Sequence, residues 1–152
     1  MTDALDTSPR YPGSTLQASP HATAHSARGL VATASPWASQ AARDVLAQGG
    51  SAADAVVAAQ AVLSLVEPHA SGLGGGTVIV WHRASDGASG VIDGLACAPQ
   101  DVSARLEVDG EGRRIPRERA LFGGWTVGVP GTVRALARVH QRFGQQPWAR
   151  LF

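Results

Sequence analysis

The sequence predicts an α/β fold, and three observations carry that reading. Two stretches of helical period follow one another across Gly49-Gly50. A β-branched run at 77–81 has a return strand beyond an Asp86-Gly87 turn, and a strand-then-helix order recurs between Trp125 and Phe143. At 152 residues the chain fits one domain that buries about two thirds of its unfolded surface.

Each element has local reasons to form. Gly29-Leu30-Val31-Ala32-Thr33-Ala34 reads as a short strand. Ser35-Pro36 then offers a capping hydroxyl followed by a proline whose missing N–H costs nothing at the first helical position. The first helix, 36–48, carries Trp37, Ala41 and Val45 at helical spacing and ends at Gly49-Gly50, which supplies a left-handed exit. Ser51 stands three residues before Asp54, a capping-box start for the second helix, 52–66. Ala55, Val56, Ala59, Val62, Leu63 and Val66 form its apolar stripe, and Pro68 ends it. Its many alanines allow another backbone to approach closely.

Glycines at 72, 74, 75 and 76 lead into the strand 77–81, and Gly90-Val91-Ile92-Asp93 returns as the second arm of a hairpin. Residues 101–106 read as a short helix, 109–112 as a polar loop and 113–119 as an arginine-rich loop. Residues 125–129 read as a third strand, Pro130-Gly131 as a turn, and the stretch from Val133 to Phe143 as a helix closed by Gly144. Pro147-Trp148 opens a further helix of about one turn, too short to nucleate alone. The chain therefore reads as cut off within an element. The first two helices are expected to pack on the 77–81 and 91–93 strands, and strand edges left open are expected to make the isolated chain poorly stable.

Composition narrows the function. Thirteen basic residues, all Arg, against twelve acidic ones give a net charge of +1, so neither nucleic acid nor membrane is expected as a partner. The apolar run 55–66 is broken by Gln60 and Ser64 and is too short to span a bilayer. Residues 1–27 lack the basic start and apolar core of a secretory signal and read as a disordered tail. The single cysteine, Cys97, excludes an intrachain disulfide, points to a reducing compartment, and reads as a buried, inert thiol. Together these place the chain in the cytoplasm.

The glycine run does not read as a phosphate loop. A dinucleotide fingerprint needs a strand before the glycines and a helix after them, the reverse of the order here, and a Walker loop needs a Lys that the chain lacks. Close backbone approach or positive φ remain as reasons for the glycines. No metal site is expected, because the five histidines show no helical pairing. Arg113, Arg114, Arg117 and Arg119, interspersed with Glu111 and Glu118, read as a solvated face.

Glu67-Pro68-His69-Ala70-Ser71-Gly72-Leu73-Gly74-Gly75-Gly76 resembles the γ-glutamyltransferase family of N-terminal-nucleophile hydrolases. Gly49-Gly50-Ser51-Ala52-Ala53-Asp54-Ala55, Val127-Gly128-Val129-Pro130-Gly131 and the stretch from Phe143-Gly144 to Pro147-Trp148 match further family segments in order. The resemblance covers 28–152 and implies the N-terminal portion of a four-layer αββα sandwich, the beginning of the family's large subunit. It implies a self-cleaving precursor whose exposed threonine attacks a γ-glutamyl or similar amide, with its own α-amine as base and no metal or organic cofactor. Among the eight threonines none has a family-like nucleophile setting, Thr23-Ala24-His25 being the nearest imitation, so no catalytic residue is assigned here. The expected partners are a small-molecule amide or γ-glutamyl substrate and the missing C-terminal half or small subunit.

The family's substrate-gripping Arg-Glu precedes an Ala-Pro pair. Here Leu95 and Ala96 stand in those two positions ahead of Ala98-Pro99, so the resemblance implies that the carboxylate clamp is replaced by an apolar wall, as in an acylase-like or uncharacterised branch of the family. The expected function is thus a fragment of a γ-glutamyltransferase-like amide hydrolase or acyltransferase, inactive alone. A non-catalytic remnant or binding module is the alternative.

Overall fold

A computed structural model describes residues 25–27, 29–100 and 108–152. Most of the expected tail and the expected helix at 101–106 lie outside the described residues.

Helix α1 (Pro36–Ala47) begins at Ser35, but the Ser35 side chain makes no capping bond. Thr33 Oγ1 serves the entry instead, donating to the Ser35 carbonyl at 2.6 Å and accepting from the Ser35 N–H at 3.3 Å. Gly49 has φ +82°, and the Gly50 N–H reaches back to the Val45 carbonyl at 2.9 Å, so the left-handed exit forms as its residue type requires. Helix α2 (Ala52–Val66) has the full capping box from Ser51 and Asp54. Ala38 and Ala42 of α1 meet Ala55 and Ala59 of α2, and these four methyl groups are the core of the helix pair. The expected apolar stripe of α2 is only partly right. Ala53, Val57 and Ala58 are buried as well, whereas Val56 stays 44% exposed, because α2 lies between α1 and a second helix and is covered on two sides.

Pro68 ends α2 and opens a one-turn helix, α3 (Pro68–Ser71). The hairpin is longer than expected: β1 (Thr77–Arg83) pairs antiparallel with β2 (Ala88–Gly94), with Val80 opposite Val91. Asp86 closes its turn. The Arg83 guanidinium and the Ala88 N–H hold its carboxyl down at about 2, and Gly87 takes φ +70°. Ile79 of β1 packs against Val57, Leu136 and Leu151, while Val78, Val80 and Val91 are exposed.

Residues 29–34 form no ladder, though Val31 packs on the α1–α2 core. The arginine-rich stretch is not all loop: Arg113 pairs with Asp109 and Glu111, and α4 (Arg117–Phe122) follows. Residues 125–129 are not a strand. Gly124–Thr126 is a 3₁₀ turn tied by Thr126 Oγ1 donating to the Ala120 carbonyl at 2.9 Å, and only Val129 pairs, with Cys97. Five residues are enough for a strand, but among the described residues the segment has no neighbouring strand to pair with beyond the single bridge at Cys97, so no ladder forms. Helix α5 (Thr132–Phe143) then lies on both strands and on α2, so α5 rather than α1 covers the hairpin. A 3₁₀ turn at Trp148–Leu151 replaces the expected helix start and buries Leu151.

Candidate functional site

Three segments distant in sequence converge where β2 ends. The Gln60 side-chain amide donates to the Ser71 carbonyl at 2.7 Å, fixing the start of the glycine loop to α2. At the loop's far end the Gly75 carbonyl accepts from the Gly131 and Thr132 N–H groups at 3.0 and 3.3 Å, two donors that the first turn of α5 leaves unpaired. The loop therefore spans from α2 to the N-terminus of α5.

The glycines of the loop have different tasks. None of them has positive φ, which leaves close approach as the reason for those that are crowded. A Cβ on Gly76 would lie 2.7 Å from the Ala96 nitrogen and 2.8 Å from Leu95 Cα, and one on Gly72 would lie 3.3 Å from the Pro68 carbonyl. Around Gly74 there is open space. The structure thus joins the two groups of residues singled out in the sequence: Leu95 and Ala96 press against Gly76. The Leu95 N–H donates to Asp93 Oδ1 at 2.9 Å, and its side chain is 59% exposed.

An open cleft of about 580 Å³ lies along the loop, lined by Gln60, His69, Ser71, Gly74, Thr77 and Thr132 among others. Leu95 and Ala96 do not line it. Neither threonine hydroxyl there has a base hydrogen-bonded to it among the described residues, and His69 turns to Glu67 at 3.2 Å. A nucleophile–base pair is therefore not assembled there. Among the described residues no three His, Cys, Asp or Glu side chains come together, and no helix is long and apolar enough to cross a membrane. Cys97, expected to be buried, is exposed. Its backbone bonds to Val129 at the surface, which leaves the thiol outside any core.

A second centre was not legible as a site. Asp54 is fully buried, and its Oδ2 accepts from the Ser51 N–H (2.8 Å), the Ser51 hydroxyl (2.9 Å), the Gln145 N–H (2.9 Å) and the Gln146 N–H (3.3 Å). Its Oδ1 faces His140 Nε2 at 3.5 Å. A carbonyl can only accept, so the 2.8 Å contact of His140 Nε2 with the Gln146 carbonyl places the proton on Nε2. Burial pushes the Asp54 carboxyl up, but the N–H groups of Gln145, Ser51 and Gln146 and the Ser51 hydroxyl outweigh it and hold the group below the usual range. The Ser-x-x-Asp spacing revealed the helix cap, whereas partners 91 and 92 residues away had no local signal.

Comparison with known proteins fits this architecture. The family model described as gamma-glutamyltranspeptidase matches residues 38–152. A glutathione hydrolase proenzyme of Bacillus subtilis (strain 168) is 37% identical over 123 residues, covering 81% of this chain and 21% of its own length. Glutathione hydrolase 5 proenzyme of Rattus norvegicus is 38% identical over 125 residues, covering 82% and 21%. The chain thus spans about a fifth of these curated relatives. Among solved structures, the γ-glutamyltranspeptidase of Helicobacter pylori superposes with a TM-score of 0.75 at 31% identity, covering 85% of this chain and 36% of that one. The enzyme from Pseudomonas nitroreducens complexed with L-DON gives 0.73 at 32%, covering 84% and 37%.

The cytoplasmic placement is corrected by these relatives, because glutathione hydrolases are secreted, periplasmic or membrane-anchored. A lone cysteine excludes an intrachain disulfide but does not exclude an oxidising compartment, so it carries no address. The α/β fold is that of the N-terminal-nucleophile hydrolases, with α1, α2, α5 and the hairpin as part of an αββα sandwich. Sequence and structure agree that the chain belongs to the γ-glutamyltranspeptidase family.

Proposed function

We propose that residues 28–152 are the N-terminal piece of an amide hydrolase or acyltransferase for γ-glutamyl or related acyl groups, and that this piece holds no catalytic residue. The observation that supports this reading is the joining of the family-like glycine loop to the family-like Pro130-Gly131 turn at the start of α5, beside Leu95-Ala96, where the family's Arg-Glu would stand. The attacking group in such chemistry is a threonine hydroxyl activated by its own free α-amine. Thr77 and Thr132, at the glycine cleft, have their nitrogens in peptide bonds. The nucleophile and the oxyanion donors are assigned to a companion C-terminal half or small subunit.

Given a γ-glutamyl anilide, the 152-residue chain is expected to release no aniline. Turnover by it alone would overturn the assignment. A folded chain that stays inactive when joined to a competent companion half would instead favour a binding module.

Leu95 and Ala96 are proposed as substrate-facing positions at which the family's Arg-Glu pair has been lost. Loss of a charge-assisted carboxylate contact costs about 1.5–3 kcal/mol, roughly ten- to a hundredfold in binding. Leu95→Arg in the complete enzyme is therefore expected to raise kcat/KM for γ-glutamyl compounds about tenfold relative to apolar acyl amides. A strong γ-glutamyl preference that Leu95→Arg leaves unchanged would show that another residue holds the carboxylate.

A further inference from the structure

The main chain of residues 93–97 is held from several sides. Asp93 and Gly94 are the last residues of β2 to pair, opposite Val78 and Thr77. Further on, the Cys97 N–H donates to the Val129 carbonyl at 3.2 Å, and the Cys97 carbonyl accepts from the Val129 N–H at 2.8 Å. Between these anchors the chain is pinched. A Cβ on Gly76 would stand 2.8 Å from Leu95 Cα, and one on Gly131 would stand 2.8 Å from the Leu95 oxygen. The Leu95 N–H lies beyond the last residue of the β2 ladder, and its acceptor is a side chain, Asp93 Oδ1 at 2.9 Å, which closes an Asx turn. All of these contacts fall on main-chain atoms. With the planar peptides on either side of Leu95 held, its φ and ψ are set, and so is the direction in which its Cα–Cβ bond leaves the chain.

We propose that Asp93 is a positioning residue for substrate selection: its Asx turn aims the side chain at position 95, and that aim lets position 95 discriminate between acyl groups. This role presupposes the substrate-facing reading of Leu95 given above. The two glycine contacts limit how far the segment can move, whereas the bond from the Leu95 N–H to Asp93 is directional and fixes how the peptide is turned. Selection by a side chain requires that its backbone be held in one geometry by neighbouring groups. Asp93 acts here through an acceptor oxygen, which asparagine also carries and alanine lacks. A hydrogen bond of this strength favours the held conformer by about fivefold or more. Whatever residue stands at 95, its influence on substrate choice therefore depends on an acceptor at 93.

The test combines substitutions in the complete enzyme, residues 28–152 joined to a competent companion half, and reads kcat/KM for a γ-glutamyl anilide divided by kcat/KM for an apolar acyl anilide. That ratio does not depend on how much of the enzyme is folded, so a merely structural role would not move it. Leu95→Arg is expected to raise the ratio about tenfold. In an Asp93→Ala background the same substitution should raise it only about twofold, and in an Asp93→Asn background the gain should return to nearly its full size. Amide exchange in the 152-residue chain gives a second readout. The Leu95 N–H should exchange about fivefold faster in Asp93→Ala than in the parent or in Asp93→Asn, while the amides of α2 stay unchanged. Four results would each overturn the positioning role and leave Leu95 facing substrate: an equal gain with and without Asp93, a gain that grows when Asp93 is removed because its carboxylate had been holding the new guanidinium, no recovery in Asp93→Asn, or a Leu95 amide indifferent to Asp93→Ala. No gain from Leu95→Arg in any background, with the Leu95 amide still released by Asp93→Ala, would instead overturn the substrate-facing reading, and the proposal with it.

Discussion

Asp54→Ala is expected to destabilise the chain by about 3–5 kcal/mol, because a hydrogen bond to a charged group is worth about 1.5–3 kcal/mol and buried donors left without a partner add about 1–3 kcal/mol. Domains of this kind have about 5–15 kcal/mol in total, so the variant should lose a large share of its stability and unfold at a clearly lower denaturant concentration. The substitution removes one oxygen that four donors share: the Ser51 N–H and hydroxyl, and the N–H groups of Gln145 and Gln146. Two of those donors belong to the start of α2 and two to the segment after α5, so the carboxylate is the fastening between elements distant in sequence. Ser51→Ala takes away only the cap hydroxyl and should cost about 1 kcal/mol. Asp54→Asn keeps one acceptor oxygen but sets an amide donor towards His140 Nε2–H, and should fall between the two. Chemical denaturation of the three variants gives the order. Near-equal values for Asp54→Ala and Ser51→Ala would show that the bonds to Gln145 and Gln146 contribute little.

The same carboxylate sets an acid limit. Its native pKa lies below the ordinary aspartate value, so the unfolded state binds the proton more readily. The stabilisation is complete above the unfolded value of about 3.9 and is lost as pH falls through that value towards the lower native one. Asp54→Asn should therefore flatten the fall in stability below about pH 4 as well as lowering the plateau above it.

What could be read from the sequence divides along physical lines. Helices α1 and α2, the Gly49 exit and the Ser51–Asp54 box depend on residues within four positions of one another, and these were legible. The hairpin was legible from Asp86-Gly87 and its β-branched arm, though not its length, because His82 and Arg83 are polar and yet pair with Ser89 and Ala88. Residues 125–129 show the opposite failure. Trp-Thr-Val-Gly-Val has strand composition, but a strand needs a neighbour, and the structure offers only Cys97. The glycine loop and Leu95-Ala96 could be named individually. Their contact depends on how β2, the loop and α5 stack, which no local pattern encodes. His140 lies within the helix read from 133 to 143, but its place beside Asp54 depends on Gly144, where a Cβ would press into the imidazole at 2.5 Å.

Gly131→Ala should be the most damaging change at the junction itself, costing about 3 kcal/mol by overpacking. Gly131 has φ −112°, a conformation open to any residue, so its requirement is one of space rather than of backbone freedom. A Cβ there would fall on the carbonyl group of Gly94 and 2.8 Å from the Leu95 oxygen. Backbone atoms at the end of a paired strand cannot swing aside like a side chain, so α5 would have to withdraw. That movement pulls the Gly131 and Thr132 N–H groups off the Gly75 carbonyl and frees the glycine loop. Gly94→Ala presses on the same contact from β2, against the Ala135 methyl and the Gly131 carbonyl, so the two substitutions together should cost less than their sum. Gly74→Ala is the contrast. It has open space and no positive φ, and should be neutral or stabilising by about 0.4–1 kcal/mol through the unfolded chain. Thermal unfolding of the three variants tests this directly: if Gly74→Ala proves as harmful as Gly131→Ala, close packing of β2 against the start of α5 is not what holds the loop.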